Sequence, residues 1–442
     1  MTALPLLTRS LTGSRLEDNR PVPVPNPLIS LPGTCCGREA RLELAQEEHL
    51  TRGILLLGAT GSGKTVALRQ MAAQIQRQMG PDDCMVIAEG KDDLRPSLFR
   101  PGDLLLGQGK FRAQSQRWNA LADLTCDGWS DADLSLNAME FARQVFAHRK
   151  GDSQPFFPDA ASILLYVVLL HFLKTARTSP AFRAEQMNNA GLRAFFLRQR
   201  QDQFRTALEG CEDAGAVQML LGSLNQSDNL QALGVLGEEV LTVLSTFCDV
   251  FGEAGRFSIR RFLRQKGGHT LFLMYDPAYP ETQRRVFSLL VNLMLKEATG
   301  QRAGTGRVFF LCDELPAMGP IQLAEAVNLG RAKNLMCLCG LQTVEQIYKL
   351  YGQHNGNTLL AGLRTKLIFA PNDAATRTFA KEAFGTQTRL EILPSAGGSS
   401  LRQIMGNVVE DWDLQQLQAG DCICGVPGHP PYRFHIAYPE RS

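Results

Sequence analysis

The 442-residue chain has little that would take it into a membrane. Its longest apolar stretch, Ile163–Leu173, is about half of the ~20 residues a spanning helix needs, and it carries His171. Residues 1–30 hold no uninterrupted hydrophobic segment, so neither a signal peptide nor a transmembrane segment is expected. An excess of one charge is also missing, because 46 Lys and Arg balance 44 Asp and Glu to a net +2. No overall basic field advertises nucleic acid, and any such contact has to be local, for instance inside a pore. Internal repeats and low-complexity tracts are absent. The eleven cysteines are odd in number and spread over the whole length. Cys337 and Cys339, and Cys422 and Cys424, form C-x-C pairs without a nearby histidine pattern, which is a weak metal signal. Reduced, mostly buried thiols in a cytoplasmic protein are expected.

What is present is concentrated in one segment. The apolar run Ile54-Leu55-Leu56-Leu57 leads into Gly58-Ala59-Thr60-Gly61-Ser62-Gly63-Lys64-Thr65. This fits G-x-x-x-x-G-K-[ST] between a strand and a helix. Glycines allow successive backbone N–H groups to turn inward around phosphate oxygens. The helix beginning near Gly63 adds its partial positive charge, and Val66, Leu68, Met71, Ala72 and Ile75 recur at helical spacing. Lys64 is expected on the β- and γ-phosphates and the Thr65 hydroxyl on Mg²⁺. The segment implies a nucleoside triphosphate site taking ATP and Mg²⁺.

The second half of such a site is an apolar strand ending in carboxylates. Val308-Phe309-Phe310-Leu311-Cys312 followed by Asp313-Glu314 has that form. Asp313 is placed for Mg²⁺ beside Thr65, and Glu314 can accept a proton from the attacking water. The alternative is an acidic N-cap opening the next helix.

Strand candidates at 53–58, 84–89, 269–275, 307–312, 335–341 and 366–370, with shorter ones near 420–425 and 431–436, alternate with helices as in a parallel sheet with crossovers. Far more chain separates Lys64 from Asp313 than a few βα units need. Residues 159–262 hold repeated helical patterns and no convincing strand, so they read as an inserted all-α domain. The organisation expected is an extended Pro-rich arm over 1–36, a nucleotide-binding domain over 37–158 and 263–442, with strands at its C-terminal end, and the helical insertion between its two parts.

Several short motifs together bring a family into view. Val86-Ile-Ala-Glu89-Gly-Lys91 resembles a strand ending in D-P-K, and Arg117-Trp118-Asn119-Ala-Leu121 resembles R-W-N-P-L. Asp313-Glu-Leu-Pro-Ala-Met-Gly319 resembles D-E-F-P-x-L-G, and Gly330-Arg331, Gly340-Leu-Gln342, Gln346, Tyr351-Gly352 and Thr365-Lys-Leu-Ile368 follow in order. In this the chain resembles the type IV secretion coupling proteins, TraD/TraG-like ATPases of conjugation in the HerA/FtsK group. The match covers roughly 50–120 and 307–380, and 411–431 loosely. It departs in having no pair of N-terminal transmembrane helices and in reading Glu89-Gly-Lys91 for D-P-K.

The resemblance implies an α/β fold, a RecA-like P-loop NTPase sheet flanked by helices with an inserted all-α domain, assembled as a homo-hexamer. It implies that Gln342 senses the γ-phosphate or orients water, and that Arg331 reaches a neighbouring subunit's ATP. Each has a plainer alternative: a glutamine satisfying a strand end, and a helix-terminal arginine favoured by the dipole. Trp118 and Asn119 read as a turn anchor rather than a base-stacking pair, since a single Trp is a poor nucleic-acid signal. The function implied is an ATPase that translocates DNA, single- or double-stranded, through a central pore and hands DNA or a relaxosome with its relaxase to a secretion channel. A separate membrane partner would hold such a chain peripherally at the inner face of the membrane. Two alternatives are a soluble HerA/FtsK-like translocase in repair, packaging or defence, and a platform that nucleotide merely assembles.

Overall fold

The computed structural model describes residues 9–12, 15–46, 48–147, 156–198, 201–222, 229–252, 254–302, 304–395 and 398–438. In chain order the strands are β1 (Arg9–Thr12), β2 (Ile29–Cys35), β3 (Arg38–Leu44), β4 (Ile54–Leu57), β5 (Cys84–Glu89), β6 (Leu104–Gly107) and β7 (Thr270–Met274). They continue with β8 (Val308–Cys312), β9 (Leu335–Leu341), β10 (Thr365–Phe369), β11 (Thr386–Ser395), β12 (Gly398–Asn407), β13 (Asp421–Gly425) and β14 (Tyr432–Ile436). Eleven form one sheet in the order β3-β2-β14-β13-β10-β4-β9-β8-β5-β7-β6, and β1-β11-β12 form a second, small one.

From β10 to β6 every neighbouring pair is parallel. Strands β4, β5, β7, β8 and β9 are buried along their whole length, because crossover helices cover both faces of such a sheet. Continuous apolar runs are the sequence counterpart of that burial. The antiparallel extension β13-β14-β2-β3 is different. Its strand β14 alternates buried and half-buried residues, which is the pattern of a sheet with one face toward solvent.

The eight expected strand segments coincide with β4, β5, β7, β8, β9, β10, β13 and β14. The structure adds β2, β3 and β6 to the large sheet, and the small sheet as a whole. Residues 29–35, expected within an extended arm, form β2, which pairs with β3 along its full length and with β14 at Gly33 and Thr34. The Pro-rich residues before it hold few contacts, among them Val24 N–H donating to Glu43 Oε2 at 3.2 Å.

Between β6 and β7 the chain is helical. Helices Asp131–Phe146, Phe156–Thr178, Asn189–Leu197 and Asn229–Phe251 are its main members. Their buried side chains are continuous with those on one face of the sheet. Phe156–Thr178 extends the apolar run read at Ile163–Leu173 in both directions. Among the described residues it is the one helix apolar and long enough to cross a membrane, and 72% of its Asp159–Thr178 window is buried inside the protein.

Trp118 stands at the junction of helices and sheet. It is fully buried, with ring centroids 5.2 Å from Phe247 and 5.7 Å from Phe251. Its Nε1–H donates to Asp123 at 2.6 Å. Asn119 caps the helix Ala120–Leu124 through Leu121 N–H and donates to the Met187 carbonyl at 2.8 Å. Both residues therefore anchor a turn. Cys337, Cys339, Cys422 and Cys424 are buried free thiols.

The route of the chain sets the position of the site. After β4 the chain crosses to β5 by the helix Lys64–Gln78, leaving β9 and β8 to be filled in later. The loop after β4 thus opens beside the ends of β9 and β8, the kind of crevice in which open parallel sheets bind ligands.

Candidate active site

The loop after β4 is fastened at its start and middle. Gly58 N–H donates to the Leu341 carbonyl, Ala59 N–H to Ala370, and Ser62 N–H to Ala59, while Gly420 N–H donates to the Ser62 carbonyl. A Cβ on Gly58 would fall 2.8 Å from the Phe369 Cβ, so only glycine fits against β10. Gly63 caps the helix Lys64–Gln78 at φ 114°, a left-handed conformation that side chains resist. Among the described residues, the N–H groups of Gly61, Gly63, Lys64 and Thr65 have no acceptor. Four such donors at a helix N-terminus form the cradle that phosphate oxygens occupy.

The charged groups converge there from distant parts of the chain. Lys64 Nζ donates to the carbonyls of Gly58 at 2.6 Å and Ala59 at 3.0 Å. Burial pushes its pKa down, while Glu314 and Asp313 pull it up. Thr65 Oγ1 donates to Asp313 Oδ1 at 2.9 Å. Gln342 Nε2 donates to Glu314 Oε2 at 2.6 Å, and Thr60 Oγ1 meets Gln342 Oε1 at 3.2 Å. Burial raises the pKa of both Asp313 and Glu314; the Thr65 bond opposes this at Asp313, the Gln342 bond at Glu314, and Lys64 at both. Glu314 Oε1 and the Ser62 hydroxyl are buried without a partner among the described residues. Unpaired N–H groups, an oriented lysine and an orphaned carboxylate oxygen fit a nucleotide with its metal and an attacking water.

Thr60, Lys64, Thr65, Asp313, Glu314 and Gln342 line one cavity of about 220 Å³. Ala59 and Ser62 shape it through their backbones. Arg331 is not brought to it. It lies in the last turn of the helix Leu323–Lys333, just before β9 begins, at the sheet edge opposite the loop; its side chain is outside the described residues. Glu89, at the position matched to D-P-K, does not face the site freely. Its two oxygens accept the Leu94 and Arg95 N–H groups, each at 2.8 Å, and it caps the turn after β5.

Two residues of the cavity had no role assigned from the sequence. Lys91 follows Glu89 and joins the cavity through that capped turn. Tyr438 comes from the C-terminal end, held over the loop by Gln70 Nε2 donating to the Ala437 carbonyl at 2.8 Å. No local pattern announces Tyr438, because only the antiparallel extension of the sheet carries it to the loop.

The sequence profile of a family described as "Type IV secretion-system coupling protein DNA-binding domain" matches residues 42–406. Among solved structures, the unbound monoclinic form of the bacterial conjugative coupling protein TrwBdeltaN70 is similar at 20% identity, with a TM-score of 0.77 over 99% of this chain and 95% of that one. The plasmid coupling protein TrwB in complex with ADP and Mg²⁺ is similar at 18% identity and TM-score 0.69, covering 91% and 88%. VirB4 of Thermoanaerobacter pseudethanolicus is similar at 13% identity and TM-score 0.61, covering 94% and 97%. At these identities the likeness establishes the α/β fold. No curated protein sequence matches the chain.

Proposed function

Because the chain belongs to the family of type IV secretion-system coupling proteins, matched over its DNA-binding domain, we propose that it is an ATPase whose turnover drives DNA toward a conjugative secretion apparatus. The observation that carries this reading is the convergence of Lys64, the Thr65–Asp313 pair and the Glu314–Gln342 pair on one cavity. A fold kept only for assembly has no need of a desolvated carboxylate poised as a base. The TrwB structure in complex with ADP and Mg²⁺ supports the choice of ligands.

Each residue has a distinct task. The N–H groups from Gly61 to Thr65 and the Lys64 ammonium bind the phosphates. Thr65 and Asp313 are the residues that would hold Mg²⁺, which when bound offsets negative charge on the phosphates. Glu314, raised in pKa by burial, takes the proton of the attacking water. Gln342 orients Glu314 by its hydrogen bond, and in this reading it would also sense the γ-phosphate or orient the water. Arg331 stands far from its own loop, which suits a role at a neighbour's site in a ring, in this reading a hexamer. DNA passes through that ring, and a relaxosome and a membrane-bound channel component are the partners at either end.

The test is ATP-driven displacement of an annealed oligonucleotide or an end-bound protein block from long DNA. The wild type should displace the block only with hydrolysable ATP, and Glu314→Gln should not. Displacement that proceeds equally with a non-hydrolysable analogue, or none under conditions of rapid hydrolysis, would contradict a motor.

A further inference from the structure

The R-W-N motif leaves one residue unexplained. Trp118 and Asn119 are consumed by the core, but Arg117 is exposed. Its side chain runs past Gly252, whose Cβ position is 3.6 Å from Arg117 Cδ. Arg117, Arg112 and Arg193 line a second cavity of about 450 Å³, where the end of β6 meets helices Asn189–Leu197 and Asn229–Phe251. Asp249 is the one carboxylate in the lining. Among the described residues, the guanidinium groups of Arg112 and Arg117 have neither a carboxylate nor a hydrogen-bond partner. The half-buried Arg260, Arg264 and Arg307, by contrast, all sit on Asp or Glu at 2.5–2.7 Å. Unpaired guanidinium groups converging on a cavity are an anion site, and their planar forks match phosphate oxygens.

We infer that this cavity is a phosphodiester-binding site that grips the backbone of a DNA strand. The inference rests on the DNA-handling reading above and gives it a place in the chain. The cavity opens at the same sheet edge as the nucleotide loop. Gln108, directly after β6, donates to the Asp249 carbonyl at 3.0 Å and accepts from Gln283 at 2.7 Å. Gln283 in turn accepts the Asp276 N–H at 2.6 Å in the loop after β7. That loop and Gln283 border a chamber that Glu314 and Gln342 also line. A strand held by the arginines therefore lies against the elements that flank the hydrolytic groups. Contacts of this kind carry charge without sequence information, so binding should be indifferent to base order.

The experiment is DNA affinity of the full chain, measured with a labelled oligonucleotide between 50 and 200 mM salt, the range over which counterion release is steep. Arg112→Ala and Arg117→Ala should each weaken binding and flatten the plot of log affinity against log salt by about 0.7–0.9 for each phosphate left without its arginine. Arg112→Lys and Arg117→Lys should keep most of the slope. ATP binding, melting temperature and hydrolysis without DNA should stay as in the wild type. If the wild type binds DNA and the double alanine variant matches it in affinity and slope, the site is not here, while the coupling function stands. The DNA site is likewise elsewhere if the double variant loses only saturable binding of inorganic phosphate. Failure of the wild type to bind DNA at any salt would overturn both the site and the function it rests on.

Discussion

Gln342, at the end of β9, donates from Nε2 to Glu314 Oε2 at 2.6 Å, just past the end of the neighbouring strand β8. The bond favours the charged carboxylate, against burial, which favours the neutral one. Burial wins, and Glu314 sits above its ordinary value of 4.5. A general base must be deprotonated, so the acid limb of kcat should lie above the usual carboxylate range. Gln342→Ala removes the opposing bond and should move that limb to still higher pH. Glu314→Gln should keep ATP affinity and lower turnover by roughly 10²–10⁴-fold. A pH–rate profile of Gln342→Ala superimposable on the wild type would dissociate the two residues.

Asp313 is tied to Thr65 at 2.9 Å, and the pair is assigned to Mg²⁺. Asp313→Asn keeps the size but loses the charge. The Mg²⁺ concentration giving half-maximal turnover should rise by about 10-fold or more, with ATP affinity in the absence of metal little changed. Titrating Mg²⁺ against hydrolysis rate is the check, and an unchanged midpoint would remove Asp313 from the metal site.

Arg331 and Lys64 belong to opposite edges of the sheet. If Arg331 serves a neighbour, Arg331→Ala alone should lose about 10³-fold or more in turnover while binding ATP normally. Lys64→Ala alone should lose nucleotide binding. Rings mixed from the two variants should regain activity, because an intact Arg331 on a Lys64→Ala chain then faces an intact loop on its neighbour. No recovery in rings proven to be mixed would assign Arg331 a role within its own chain.

Asp127 accepts from Arg260 at 2.7 Å and from Arg264 at 2.5 Å beneath the helix Pro280–Thr299. Burial would raise its pKa, but the hydrogen bonds from Arg264 and Arg260 outweigh it and hold the group well below 3.8. A depressed carboxylate stabilises the fold above its unfolded value and loses that contribution as pH falls through the folded value. Asp127→Asn should cost about 1–3 kcal/mol, since the half-buried Arg260 and Arg264 lose a charged hydrogen-bond partner but keep Glu297. It should also flatten the stability–pH curve on the acid side. Denaturant unfolding at neutral pH and near pH 3 measures both effects.

How much of this could be read in advance depended on burial. Strands β4, β5, β8 and β9 are buried on both faces, so they appear as unbroken apolar runs. The loop at Gly58–Thr65 and the pair Asp313-Glu314 are legible because their chemistry is local. Strand β3, Arg38-Glu-Ala-Arg-Leu-Glu-Leu44, is mostly exposed at its start and looks like a charged helix face. Strand β2 contains Pro32 and Gly33, which ordinarily argue against a strand. The Arg112–Arg117–Arg193 cavity is assembled from three segments far apart in sequence, so no window contains it. Trp118 was the opposite case: it reads as a turn anchor, and its burial in an aromatic cluster with Phe247 and Phe251 agrees.

The central claim is that ATP turnover is coupled to DNA, and the most direct measurement is the hydrolysis rate per chain as protein concentration rises, with and without long DNA at low salt. Assembly by mass action predicts a rate that climbs with concentration, and a further rise with DNA as threaded rings are stabilised. That stimulation should fade as salt is raised and should be absent in Lys64→Ala. A rate per chain that is flat in concentration and identical with and without DNA would contradict the account, and would favour a nucleotide-assembled recruiting platform.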